Sequence, residues 1–114
     1  MKTVTLKVET LQQTIDGFAR VWTDGTAEPT SIAFATWDLM HRALSPKRLD
    51  ILRAMCAQKP MSIRELARRV GRDFKGVHTD VTTLLNAGLI ERTGSDIHFP
   101  YERIHVDFDI DAAA

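Results

Sequence analysis

The sequence predicts an α+β fold, and three observations support that prediction. The 114 residues are 44% hydrophobic and 26% charged, near the average of globular proteins, so one packed core is feasible. Apolar and polar residues alternate near both ends of the chain, as they do in half-buried strands. Between the ends, apolar residues recur at helical spacing, and helix start and stop signals divide them into short helices.

The first part of the chain is predicted as a strand followed by a helix. Apolar residues alternate in "TVTLKVE" and recur at helical spacing in "TLQQTIDGFARVW". The next stretch, "TDGTAEPT", has the composition of a linker. We therefore expect residues 1–25 to form a strand-helix extension, used for dimerisation or partner binding, beside a domain that spans 31–110.

The helices of the second part have clear boundary signals. After the short strand "SIAFA", the predicted N-caps are Thr36, Ser45, Ser62 and Asp73. Pro46 stands at the first position of its helix, and Glu65 completes a capping box with Ser62. Gly71 and Gly88 are expected to end the last two helices.

The end of the chain is predicted as a hairpin and a strand. "LIERTGSDIHF" has two strand-like runs that turn near Gly94, and "YERIHVDFDID" alternates again. A helix, a three-residue turn, a second helix and an immediate hairpin are the order of a winged helix-turn-helix. We therefore predict a winged helix-turn-helix domain with an N-terminal strand-helix extension and a C-terminal strand.

Charge is distributed unevenly along a chain of zero net charge. Residues 42–75 contain ten basic and three acidic residues, a net charge of +7, so the rest carries −7. Such a concentration predicts a surface for a polyanion. The alternative is that these arginines lie on solvated helix faces.

The predicted second helix has one side for the core and one for a ligand. At 100° per residue, its apolar residues share one side. The candidate base-reading residues lie opposite or at the edge: Lys75, Gly76, His78, Thr79 and Thr82. Lys75 could donate to guanine, Thr79 could contact a base or a thymine methyl, and Gly76 would let the backbone approach the groove.

Five further residues are candidates for phosphate contacts, which position a protein without reading sequence. They are Ser62, Arg64, Arg68, Arg72 and Arg92. Ser62 lies at a helix N-terminus, where free N–H groups attract phosphate. Arg72 lies in the predicted turn, and Arg92 flanks the predicted wing, from which it could reach a minor groove.

The run His78-Thr79-Asp80 is not predicted to be catalytic. Adjacent helical residues point about 100° apart, so His78 and Asp80 cannot meet locally as base and acid. We expect Asp80 to pair with an arginine of the preceding helix instead. The single Cys56 and the four histidines have no metal-ligand spacing. The sequence therefore predicts no enzyme, no metal and no cofactor.

The stretch "ELARRVGRDFKGVHTDVTTLLNAGLIER", 65–92, resembles the helix-turn-helix core of winged-helix regulators of the multiple-antibiotic-resistance and arsenic-repressor type. The wider stretch 34–106 resembles a family of small prokaryotic DNA-binding proteins, several of which look like antitoxins. The resemblance implies a sequence-specific transcriptional repressor, an antitoxin that autoregulates a toxin-antitoxin operon. Its partners would be double-stranded DNA with a pseudo-palindromic operator, a second copy of the chain, and a small cognate toxin.

An alternative function is a winged-helix interaction module that neutralises a partner protein with little DNA binding. We expect the homodimer contact in residues 2–24 and 101–110, since neither segment is needed for a winged-helix core. The chain has no signal-peptide pattern, no apolar run of bilayer length and a lone Cys56, so the expected location is the cytoplasm.

Overall fold

The computed structural model describes residues 1–9, 12–13, 15–16 and 30–112. Most of the predicted helix at 10–22 and of the predicted linker at 23–30 lies outside these residues. Residues 12–13 and 15–16 are helical. The described residues form an α+β structure, as predicted.

Three strands form a parallel sheet. They are β1 (Thr3–Val8), β2 (Ser31–Phe34) and β5 (Arg103–Asp107), in the order β2-β1-β5. Leu6 of β1 lies opposite Ile32 on one side and Val106 on the other. The strand predicted near the N-terminus is therefore the centre of the sheet, between two strands of the segment 31–110.

Four helices and a hairpin fill the chain between β2 and β5. The helices are α1 (Trp37–Ala43), α2 (Pro46–Met55), α3 (Ile63–Val70) and α4 (Phe74–Asn86). The hairpin consists of β3 (Glu91–Thr93) and β4 (Asp96–His98), which pair antiparallel. Gly94, at the turn between them, has a φ of 63°, which favours glycine.

The four predicted N-caps are confirmed. Each side-chain oxygen accepts a hydrogen bond from the backbone N–H three residues later: Leu39, Arg48, Glu65 and Gly76, at 3.2, 3.3, 3.1 and 3.1 Å. Gly71 ends α3 in the left-handed region, with a φ of 68°. These local signals fix where α3 stops and α4 begins, so the turn between them has three residues.

One apolar cluster joins the sheet to all the helices. Val4 and Leu6 of β1 are fully buried in it, together with Met40 of α1, Leu52 of α2 and Leu84 of α4. This packing differs from the expectation that the N-terminal strand is dispensable for the core. The physical reason is that β1 packs against the apolar side chains of the helices and removes them from water.

The hairpin is attached to the segment before α3. The N–H of Met61 donates to the carbonyl of Ile97 at 3.0 Å, and the N–H of Ile97 donates back at 2.8 Å. The side chain of Ile97 is fully buried. The hairpin therefore stands beside α3 as a fixed element. Within the described ranges, no helix has the length and apolar character needed to cross a membrane.

Candidate nucleic-acid interface

Helix α4 divides into a buried and an exposed side, as its periodicity predicted. Val77, Val81 and Leu84 are fully buried. On the other side the exposed residues are Lys75, His78, Thr79 and Thr82. Four of the five predicted base-reading residues therefore share one accessible surface, while Gly76 is half-buried beside it.

Asp80 is a charged side chain inside the fold. Its residue is only 8% exposed, and each carboxylate oxygen accepts a hydrogen bond from an arginine. Oδ1 lies 3.0 Å from Nη1 of Arg48, and Oδ2 lies 2.8 Å from Nη1 of Arg72. The two cationic donors compensate the charge of this carboxylate, which would be costly to bury without partners.

The partners of Asp80 differ from the expected arginine of the preceding helix. Arg72 belongs to the turn after α3, and Arg48 belongs to α2, at a sequence separation of 32. Arg48 also donates from Nε to the carbonyl of Ala43 at 2.8 Å, and to the carbonyl of Arg42. Asp80 therefore connects α4 to α2, to the turn, and to the end of α1.

Gly76 makes room for this ion pair. A Cβ at Gly76 would lie 3.0 Å from Nη2 of Arg72 and 3.0 Å from Oδ1 of Asp73. The missing side chain was expected to let the helix backbone approach a groove, but the Arg72 guanidinium lies against this position. Arg72, predicted to contact phosphate, has a side chain that is 23% exposed and paired with Asp80.

The threonines of the exposed side donate their hydroxyl protons within α4. Thr79 donates to the carbonyl of Lys75 at 3.1 Å, and Thr82 donates to that of His78 at 2.9 Å. The lone pairs and methyl groups remain available at the surface. These residues can therefore accept from a base amino group or touch a thymine methyl without breaking a helix contact.

An aromatic cluster at the start of α4 adds Phe74, which is not among the predicted contact residues, to the exposed surface. By helical angle Phe74 points nearer the core, but it lies in the first turn of α4 and is 44% exposed. The guanidinium of Arg64 lies 5.2 Å from its ring centroid, and the His78 ring lies 5.8 Å from it. An exposed aromatic ring between basic side chains is a feature of surfaces that bind nucleic acids.

Arg68, another predicted phosphate contact, is held by an acid. Its Nε donates to Glu65 at 2.9 Å, and Arg69 donates to the same carboxylate at 2.9 Å. The hydrogen bond from Arg68, followed by that from Arg69, lowers the pKa of Glu65 to about 2. The Arg68 side chain is still 73% exposed, so it lies at the surface with its charge partly neutralised.

The remaining predicted residues are accessible. Ser62 is exposed and caps α3, and Arg92 is exposed on β3. Within the described part of the chain, no acidic group forms an ion pair with Arg64, Lys75 or Arg92. Among the predicted contact residues that the structure describes, these three cations therefore have charge to offer a polyanion.

Metal-binding and thiol chemistry have no support in this region. Among the residues that the structure describes, no three His, Cys, Asp or Glu side chains are grouped to hold a metal ion. Cys56 is half-buried at the end of α2, and burial raises the pKa of its thiol. A raised pKa keeps a thiol protonated and unreactive.

Comparison with known proteins identifies a family and no closer relative. No curated protein and no solved structure matches the chain. The sequence profile of the HVO_A0114 family matches residues 43–106, which run from the end of α1 through β5 and include the whole surface described above. The chain belongs to the HVO_A0114 family.

Proposed function

We propose that this protein is a sequence-specific DNA-binding transcriptional repressor. In this proposal α3, the turn, α4 and the hairpin act as a winged helix-turn-helix, with α4 in the major groove. The order of these elements and the exposure of α4 support the assignment. Anchoring by Asp80 supports it further, since a reading helix must hold a fixed angle to its domain.

The observation that carries the proposal is the charge and chemistry of the N-terminal half of α4. Lys75, Thr79 and the Arg64–Phe74–His78 cluster lie at one surface, and Arg64 and Lys75 have no ion-pair partner within the described residues. Lys75 would donate to guanine O6 or N7, and Thr79 would address a neighbouring pair. Arg64 and Arg92 would contact phosphates on either side.

The direct test is a comparison of two duplexes. The wild-type protein would be titrated by fluorescence anisotropy against DNA from upstream of its own gene and against a shuffled duplex of equal composition. A repressor that autoregulates binds the upstream sequence about 10³-fold or more tightly, and both affinities fall as salt rises. Equal affinity for the two duplexes would contradict sequence-specific repression.

A second candidate is an interaction module that neutralises a partner protein. A surface hollow of about 560 Å³ lies between β1 and the end of β5, and its lining includes Glu9, Asp16, Asp107, Asp109 and Asp111. An acidic, concave surface would suit a basic partner such as a small toxin. In the antitoxin form of the proposal, one chain has both activities, DNA binding at α4 and toxin binding at the hollow.

Co-expression separates the two candidates. The protein would be produced with the product of the adjacent open reading frame and purified through that product. A stable complex together with salt-dependent DNA binding supports an autoregulating antitoxin. A stable complex without DNA binding at low salt favours the interaction module.

A further inference from the structure

We infer that β5 pairs antiparallel with β5 of a second copy of this chain, with the two-fold axis at His105. This inference goes beyond the proposed function and names the contact of the homodimer that the sequence predicts. The pair would join two three-stranded sheets into one of six strands. The dimer contact was expected within residues 2–24 and 101–110. The inference narrows this contact to the five residues of β5, paired in one register.

Strand β5 lies at an edge of the three-stranded sheet. The sheet order is β2-β1-β5, so among the described residues β5 has a strand on one side only. An open strand edge is a template for another strand. The edge is accessible, because Arg103, His105, Val106 and Asp107 are all exposed.

The direction of the backbone groups of β5 restricts the register of a partner strand. The N–H of Arg103 donates to the carbonyl of Lys2, toward β1. Backbone groups alternate sides along a strand, so those of Ile104 and Val106 point to the open edge. An antiparallel partner must therefore form its hydrogen-bonded pairs at these two residues, which allows only every second register.

In one of these registers, β5 is complementary to itself. With the axis at His105, Ile104 of one copy lies opposite Val106 of the other, in a hydrogen-bonded pair. Arg103 then lies opposite Asp107, and symmetry repeats this pair. Within the described residues neither Arg103 nor Asp107 has an ion-pair partner inside its own chain. Opposite charges directly across an antiparallel pair stabilise it.

The apolar side of the sheet is incompletely covered at β5. Val106 is 46% exposed, although it shares its face of the sheet with the fully buried Leu6. The pairing brings the Ile104 and Val106 side chains of both copies together and removes this apolar surface from water. The acidic residues Asp109 and Asp111 follow the strand, so in an antiparallel pair the two acidic ends point away from each other.

Cross-linking tests the register. In a Cys56→Ala background, His105→Cys places two thiols at the axis in a non-hydrogen-bonded pair, where Cα atoms lie about 4.5 Å apart. That distance permits a disulfide. Val106→Cys is the matched control, because in this register it faces Ile104 of the other copy. We expect a covalent dimer from His105→Cys and none from Val106→Cys. Cross-linking through Val106→Cys alone would overturn the register.

A charge exchange tests the contact without a disulfide. Arg103→Asp or Asp107→Arg alone sets like charges opposite each other twice, and each should raise the dimer Kd by roughly tenfold or more. The double variant Arg103→Asp with Asp107→Arg exchanges the charges and should restore the wild-type Kd, as measured by sedimentation of the 12.8 kDa chain. A wild-type monomer, or a dimer that neither single variant weakens, would overturn the inference.

These tests do not involve DNA, so their outcome is separable from that of the proposed function. If the strand pairing fails, α4 can still bind DNA through a dimer formed elsewhere. If the upstream duplex shows no preference, the β5 dimer can still stand as an assembly of this chain.

Discussion

Asp80 shows why a site residue can be recognised in the sequence while its partners are not. An acid at the edge of an apolar helix face needs cationic donors when it is buried. Helical periodicity alone therefore predicted that Asp80 pairs with an arginine. Which arginines it finds depends on how α2 lies against α4. Arg48 is 32 residues away along the chain, a distance at which no local rule applies.

Replacing Asp80 should destabilise the fold. Asp80→Ala leaves two guanidinium groups, with side chains 18% and 23% exposed, without their acid. Removing one partner of a buried ion pair typically costs 3–5 kcal/mol, and partial exposure places this case at about 3 kcal/mol. Chemical denaturation measures the loss. The control is Asp50→Ala, whose 3.9 Å pair with Arg53 is exposed and should matter by less than about 1 kcal/mol.

Lys75 and Thr79 should determine discrimination between DNA sequences. Both are exposed one turn apart, so each can contact a neighbouring base pair. Lys75→Ala and Thr79→Ala should each reduce the preference for the upstream duplex over the shuffled one by ~1–3 kcal/mol. Anisotropy titrations at one salt concentration give this ratio. Asn86→Ala, exposed in the last turn of α4, is the control and should leave it unchanged.

At the scale of elements, local chemistry determined what could be predicted. The N-caps, the stop at Gly71 and the turn at Gly94 each depend on a few adjacent residues, and all were predicted from the sequence. For β1, alternation left open whether the strand pairs with the C-terminal strand or across a dimer, and its pairing with β2 was not predicted. Alternation shows that a strand has one buried face, but it does not specify the neighbouring strands, which here come from residues 31–34 and 103–107.

Truncation of Leu6 tests how much β1 contributes to the stability of the core. Its side chain is fully buried in the cluster shared with the helices. Leu6→Ala should cost about 2–5 kcal/mol, as truncation of a buried leucine does. Thr5→Ala, on the other face of the same strand, should cost less than about 1 kcal/mol. Equal effects of the two variants would show that β1 does not contribute its apolar face to the core.

Low pH should destabilise α3, because it protonates the carboxylate of Glu65. The pKa of its carboxyl is lowered from 4.5 to about 2 by Arg68 and Arg69, so the folded state favours the ionised form. A lowered pKa contributes stability above the ordinary value, and that contribution is lost as pH falls toward 2. The difference in Tm between wild type and Glu65→Gln should be constant above pH 5 and shrink below pH 4.5. A difference that is the same at pH 2.5 and pH 7 would contradict this assignment.

At the scale of the molecule, the ten basic residues of 42–75 overstate the charge available to a polyanion. Arg48 and Arg72 share Asp80, and Arg68 and Arg69 share Glu65. Composition counts all of these residues equally, because it contains no information on pairing. The sequence thus predicted which surface is basic, while the division into structural and available arginines required the packed fold.

The salt dependence of DNA binding should distinguish arginines that pair with acids inside the fold from arginines that contact phosphate. Arg64→Ala and Arg92→Ala should each reduce the slope of log K against log salt by about 0.9, the value for one phosphate contact. Arg68→Ala should reduce it less, because Glu65 already neutralises part of its charge. Arg72→Ala should act mainly on stability. A slope near zero for the wild type would show that phosphate contacts do not drive binding.

The central position of β1 also determines when the fold can form. Thr3 pairs with Arg103, so the β1–β5 contact joins segments about 100 residues apart. At ~5–20 residues per second, β1 is synthesised roughly 5–20 s before its partner. During that time Val4 and Leu6 have no completed sheet to enter. Contacts between such distant segments also slow folding in free solution, because a long loop must close first. We therefore expect the nascent chain to be open to chaperones and proteases until β5 emerges, and its cellular level to respond to the speed of translation.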